Sequence, residues 1–350
     1  MSRPELRLHG ARLRRNIELV RERIAPSTLM FVMKDDAYGH GLSWAAENAL
    51  SMGVEWFGSY DVRRALEIRR ILGGDARIFA WATSDDDEID EALLQRIDLG
   101  VGTVEYLRRI DRRAERLGVR ARVQLKIDTG LRRNGILPGD WADVVSEVRA
   151  AENAGRLELA GVWSHLAEAS DEEDDEAQRV FLRAIDDVER TGPVPEARHL
   201  TASAASWWRP ELRGSMSRIG AFCYGIRSAD GPDLDGIVPV ADLVATVLEI
   251  SGGDAVIGIG SFEGLPSTLA GAGVGTPAGA RGLRAIDWTT SIVDGWAGMA
   301  VGDEVTLFGA GTAGENSATT LAEAIDTVGE EILTRLTSRV RRVVVDAEAP

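Results

Sequence analysis

Apolar, β-leaning segments recur along the first two-thirds of the chain, at Leu29–Lys34, Glu55–Tyr60, Ala76–Trp81, Ile97–Gly102, Arg122–Asp128, Leu159–His165, Arg198–Ser203 and Ser217–Gly225. Between them lie charge-rich stretches of helical period, at Val62–Leu72, Asp86–Arg96, Glu105–Leu117, Trp141–Asn153 and Glu173–Thr191. This alternation predicts parallel strands joined by helical crossovers. Eight such strands predict an α/β fold, a closed (β/α)8 barrel. An open doubly wound sheet is the competing topology, and it leaves the fifth to eighth strands harder to place. After Asp230 the pattern changes. Gly231–Gly236 reads as a linker, followed by strands at Val238–Ile250, Ala255–Gly260, Ile286–Val293 and Glu304–Phe308. Leu269–Gly282 reads as a long loop, Thr320–Ile325 as a helix, and Arg339–Val345 as a β-branched end. The chain is thus expected to hold a barrel over residues 1–230 and a mostly β domain over 231–350.

Composition narrows the function. The 350 residues are 44% hydrophobic and 27% charged, as in ordinary globular proteins. A net charge of −16 with no basic stripe argues against a nucleic-acid partner. The one cysteine, Cys223, can form neither an internal disulfide nor a metal cluster. The first ten residues lack an apolar signal core and no run reaches membrane-spanning length, which predicts a cytoplasmic protein. The acidic runs Asp85–Glu88 and Asp171–Glu176 read as helix starts, where negative charge suits the macrodipole, and not as metal sites.

Among 40 Lys and Arg residues only two are lysine, Lys34 and Lys126. Arginine serves ion pairs and solubility, but only lysine offers an amine that forms a Schiff base. Lys34 closes an apolar strand and is followed at once by a turn with Gly39 and Gly41, then a helical pattern. The competing explanation is two stray survivors of an arginine bias. In a (β/α)8 barrel the site lies at the carboxyl ends of the strands, and there also fall Asp128–Gly135, Ser164-His165, Ser203, Arg218 and Gly220. Ser203 ends a strand just before a helix whose free N–H groups suit an anion. An amine beside a phosphate site suggests pyridoxal phosphate.

Five motifs in order then resemble the alanine racemase family of fold-type III pyridoxal-phosphate enzymes. Phe31–Gly41 is similar to its cofactor-lysine motif, which implies Lys34 as the Schiff-base lysine and Tyr38 as a phosphate contact. Leu125–Gly130 is similar to the segment whose lysine, here Lys126, is often carbamylated and holds an arginine, here Arg133, that contacts the cofactor phenol oxygen and the substrate carboxylate. The resemblance further implies His165 as the sixth-strand histidine, Ser203 as the phosphate serine and Arg218 as the group facing the pyridine nitrogen. It places phosphate-binding N–H groups at Gly220 and Ala221. It implies a homodimer acting on a small-molecule amino-acid substrate, in which one subunit's β domain completes the other's site.

The β domain departs from the family pattern. Gly260-Ser-Phe-Glu-Gly264 puts Ser261 where the family has its second catalytic tyrosine. Trp288 and Thr289 fall on its Met-Asp pair, Glu330 on a phosphate-contacting tyrosine, and Ala202 on an asparagine. Racemisation needs a base on each face of the α-carbon, and a serine hydroxyl needs a neighbouring base to act. Glu263 and His165 are the candidates to assist it; alternatively Ser261 is a polar turn residue. Trp288, Phe262 and Trp163 point to a more apolar or narrower entry. A cation at the pyridine nitrogen favours α-proton exchange over decarboxylation or transamination. The expected activity is a racemase or epimerase. The alternatives are a lyase or one-base enzyme of the same fold, or an inactive cofactor-binding homologue.

Overall fold

The computed structural model describes residues 3–345, so the outermost positions of the expected division, 1–2 and 346–350, lie outside the described residues. The chain opens with β1 (Glu5–Leu8) and α1 (Gly10–Ile24) and then alternates. The strands β2 (Thr28–Val32), β3 (Trp56–Ser59), β4 (Arg77–Ala80), β5 (Asp98–Val101), β6 (Ala121–Lys126), β7 (Leu157–Trp163), β8 (Ala197–His199) and β9 (Met216–Ile219) follow the predicted positions. So do the helices Val62–Leu72, Asp86–Leu94, Val104–Leu117, Trp141–Asn153 and Asp171–Thr191. Two compact units emerge. One holds Val20–Lys34 and Ala49–Gly220; the other holds the described residues up to Leu19, Asp35–Asn48 and the described residues from Ala221.

In the first unit eight parallel strands run in the order β8-β7-β6-β5-β4-β3-β2-β9, a nearly closed (β/α)8 barrel. Discrete bonds bridge the seam between β8 and β9: Arg198 N–H donates to Ser215 Oγ at 2.9 Å and Arg218 N–H to Thr201 O at 3.2 Å. Met30, Trp56, Phe79, Trp163, Ala197 and Met216 form one buried cluster. Fully burying such a side chain stabilises by about 1.5–3 kcal/mol. The acidic runs do open helices: Asp85 and Ser170 are N-caps, accepting from the backbone N–H of Glu88 and Glu173.

The second unit is an eight-stranded sheet of order β11-β14-β13-β12-β15-β10-β1-β16. Its strands are β10 (Ala241–Ser251), β11 (Asp254–Ile257), β12 (Gly273–Thr276), β13 (Gly279–Ile286), β14 (Ser291–Val293), β15 (Glu304–Phe308) and β16 (Arg341–Val344). Two expectations are corrected here. Leu269–Gly282 is no loop, since β12 and β13 pair antiparallel through it; its Gly and Ala residues conceal strands whose pairing is set by neighbours and not by side-chain propensity. Ile286–Val293 is not one strand but the end of β13, a turn and β14. β1, too short to register as a pattern, pairs with β10 and β16.

Candidate active site

The inward face of the barrel is set by strand alternation. On β6 the polar Arg122, Gln124 and Lys126 alternate with the buried apolar Val123 and Leu125. Lys34 follows β2 on the parity of Met30, a member of the barrel cluster. His165 lies two residues past β7 and Arg218 within β9.

Arg218 organises this face. Its Nη1 donates to His199 O and His199 Nδ1, both at 2.9 Å. Its Nη2 donates to Ser164 O at 2.8 Å, Leu200 O at 3.2 Å and His165 Nδ1 at 3.0 Å. The Nε–H has no partner among the described residues. Burial lowers Arg218 to about 9, which still leaves it a cation at neutral pH. A guanidinium only donates, so both imidazoles accept through Nδ1 and carry their proton on Nε2. Burial, then the charges of Arg218, Arg133, Lys126 and Lys34, push His165 down to about 3. It is therefore neutral, with its Nδ1 lone pair engaged by Arg218. His199 and Gln124 escaped the sequence reading, although the polar residues at inward parity on β6 and β8 were the available signal.

Lys126 is buried, with Nζ 4.8 Å from the centroid of the Trp163 ring. Burial first, and then the cations Arg133 and Arg218, lower it to about 8. Arg133 itself is exposed in the loop after β6. That loop is held by Asp128 Oδ1, which accepts from the backbone N–H of Gly130 at 3.0 Å and of Arg132 at 3.1 Å. Trp163 corrects an expectation: it packs in the barrel interior beneath Arg218 and Lys126 and does not shape an entry. Ser203 also moves. β8 ends at His199, and Ser203 opens a six-residue helix, Ser203–Trp208. Its Oγ accepts from Gly220 N–H at 3.4 Å. The expected strand through Gly225 stops at Ile219, and Ala221–Tyr224 form a 3-10 turn.

In the other unit the segment after Lys34 is a left-handed turn: Asp35, Asp36, Ala37 and Tyr38 have φ of 53–55°. For residues with a Cβ this conformation costs roughly 1–2 kcal/mol each, so local bonds must hold it. Gly39 N–H donates to Asp35 O at 2.9 Å and Gly41 N–H to Asp36 O at 3.0 Å. Asp36 Oδ1 accepts from Leu42 N–H at 2.9 Å, at the start of the next helix. Gly39 has φ +80°, and a Cβ there would lie 2.8 Å from Leu333 O. Tyr38 is buried, its ring 5.1 Å from that of Tyr224, and burial followed by the charge of Glu330 raises its phenol. The Ala221 backbone N–H donates to the Tyr38 phenol oxygen.

Ser261 is exposed in a short 3-10 turn. Its expected assistant Glu263 is committed elsewhere: the buried carboxylate accepts from Gly260 N–H at 2.9 Å and pairs with Arg339 Nε at 2.7 Å. Phe262 and Trp288 are 45% and 65% exposed and meet edge to face at 5.2 Å, so this aromatic pair lies at the surface. Among the described residues no group of three His, Cys, Asp or Glu side chains could hold a metal ion, and no helix is long and apolar enough to cross a membrane.

Comparison with known proteins agrees with this geometry. The family profile described as alanine racemase, N-terminal domain, matches residues 8–228, and that of the alanine racemase C-terminal domain matches 252–344. The alanine racemase of Thermobifida fusca is 35% identical over 360 residues, 95% of each chain. That of Beutenbergia cavernae is 34% identical over 94% of each. A solved alanine racemase from Streptomyces coelicolor A3(2) superposes with a TM-score of 0.92 at 31% identity, covering 98% of both chains. One from D-cycloserine-producing Streptomyces lavendulae gives 0.90 at 29% identity over 99% of this chain. Nothing in these comparisons favours the lyase, one-base or inactive readings.

Proposed function

The chain belongs to the alanine racemase family, and on that premise we propose that it interconverts the enantiomers of a small amino acid, alanine foremost, with an inversion step slowed by the loss of a tyrosine base. It is a pyridoxal-phosphate-dependent racemase, and the barrel residues fit that cofactor. The observation that carries the reading is Arg218: a buried cation bonded only to neutral groups, with its Nε–H left over for a neutral ring nitrogen.

Pyridoxal phosphate, when bound, supplies the electron sink that acidifies the substrate's α-proton. Lys34 would hold the cofactor through its amine, and the same amine would move the α-proton on one face of the substrate. Arg218 stays protonated and disfavours a proton on the ring nitrogen. His165 and His199, both neutral, orient Arg218 without competing for protons. Ser203 Oγ and Gly220 N–H, which meet at 3.4 Å, would hold the phosphate. By resemblance to the family, Tyr38 and Ala221 would be phosphate contacts too. Arg133 takes the substrate carboxylate. Lys126, with its depressed basicity, reacts with carbon dioxide: the amine lone pair forms the N–C bond, one proton leaves, and the resulting carbamate anion holds Arg133.

The chain acts as a homodimer, a reading supported by the exposed Phe262–Trp288 pair beside Ser261, and its place is the cytoplasm. Ser261 of a second copy faces the α-carbon opposite Lys34, and with Glu263 and His165 both committed it relays protons poorly. The test is the polarimetric time course of L-alanine with the holoenzyme, run beside light scattering at micromolar concentration. Slow but complete racemisation by a dimer is expected; a bound cofactor with no change in rotation, or a strict monomer, would overturn the reading.

A further inference from the structure

A chain of buried polar groups leaves Arg218 in the direction away from the reacting centre. His199 accepts from Arg218 through Nδ1, and its Nε2 lies 2.7 Å from Gln124 Oε1. Gln124 Nε2 donates to Asp98 Oδ2 at 2.8 Å, and Asp98 Oδ1 accepts from Arg122 Nε at 2.7 Å. Arg122 also pairs with Glu158. Gln124 and His199 are 0% exposed and Asp98 2%. Each group sits on the inward face of its strand, β5, β6, β8 or β9.

The direction of every bond is fixed by what each group can do. Arg218 only donates, so His199 offers a lone pair at Nδ1 and an N–H at Nε2. That N–H requires the carbonyl oxygen of Gln124, which turns the Gln124 amide N–H toward Asp98. Arg122, at the far end, again only donates. With a donor at both ends, one member must accept from both sides and donate to neither. Among these groups only an ionised carboxylate does so, and it is Asp98. An amide at that position sets an N–H against either Arg122 or Gln124. The conflict is relieved if Gln124 turns over and His199 moves its proton to Nδ1, where it opposes the guanidinium.

We propose that Asp98 and Gln124 are positioning residues for Arg218, fixing through His199 the tautomer and guanidinium orientation that leave its Nε–H free for the cofactor ring. This rests on Arg218 facing the ring nitrogen, but its first readout does not depend on turnover. The protein has four histidines, few enough for the ring nitrogens of 15N-histidine-labelled holoenzyme to be assigned by NMR. The wild type should show His199 protonated at Nε2, and Asp98→Asn should show the Nδ1–H form. The same variant should lower kcat by about tenfold with KM changed less than about twofold, a coupling of ordinary size for groups in one network. In an Arg218→Lys background Asp98→Asn should cost less than about twofold, because the group it acts through is gone. Gln124→Leu breaks the chain while leaving the Asp98–Arg122 pair, so it carries the test if Asp98→Asn does not fold. An Nε2–H His199 in both variants, or losses that multiply in full with Arg218→Lys, would overturn the proposal. A failure of racemisation in the wild type, with the histidine result intact, would instead count against the functional reading.

Discussion

Lys126 offers the sharpest thermodynamic prediction. Its ammonium is 4% exposed beside two guanidinium groups. Lowering from 10.5 to about 8 corresponds to roughly 3 kcal/mol, at about 1.36 kcal/mol per pH unit. The sign follows from proton counting: between pH 8 and 10.5 the unfolded chain keeps this proton and the folded one does not. The ammonium therefore destabilises the fold fully below about pH 8, and the penalty fades as pH rises to 10.5. Lys126→Met removes it and loses the contact with Trp163, a cation–π interaction of about 0.5–2 kcal/mol. In buffer free of carbon dioxide at pH 7 the apo variant should thus exceed the wild type by about 1–2 kcal/mol in urea unfolding. The gap should close as pH approaches 10.5. Bicarbonate should stabilise the wild type at pH 8 and leave the variant unmoved, since only an amine forms the carbamate. Wild-type and variant curves that stay parallel from pH 7 to 10.5 would refute the reasoning.

Lys34→Ala should keep the fold, judged by far-ultraviolet circular dichroism, yet lose the visible absorption that the wild type gains with pyridoxal phosphate. Gly39→Ala forces a Cβ to 2.8 Å from Leu333 O at φ +80°, and should cost about 1–3 kcal/mol in chemical denaturation. Ser261→Ala should abolish inversion while leaving α-proton exchange on the Lys34 face if the serine is the second relay, and change racemisation little if it is a bystander. Ser261→Tyr should raise it, by up to the roughly 10²–10⁴-fold that a positioned base contributes, as a coupled D-alanine assay would report.

The barrel was legible because its strands and helices differ in period and in charge, and the carboxyl ends of β2, β7 and β9 pointed to Lys34, His165 and Arg218. Less legible was anything decided by neighbours. Gly273–Thr276 is a strand because β13 and β15 pair with it, not because glycine and alanine favour strands. The left-handed turn at Asp35–Tyr38 is written only as two flanking glycines. Glu263 looked like a helper for Ser261 until Arg339, distant in sequence, was seen to claim it. Gln124 and His199 sat in segments already read as strands, but their function depends on which face of a strand looks inward, and that is fixed only when the barrel closes.

The central claim is that this chain inverts an amino acid by exchanging its α-proton, and deuterium reports it most directly. L-alanine and D-alanine are each incubated in D2O with the cofactor-loaded protein, and products are resolved by chirality and mass. The account predicts α-deuterated alanine of both configurations from either enantiomer, with label entering the retained enantiomer faster than the inverted one. It is contradicted if a protein that binds pyridoxal phosphate through Lys34 leaves the α-hydrogen of both enantiomers unexchanged.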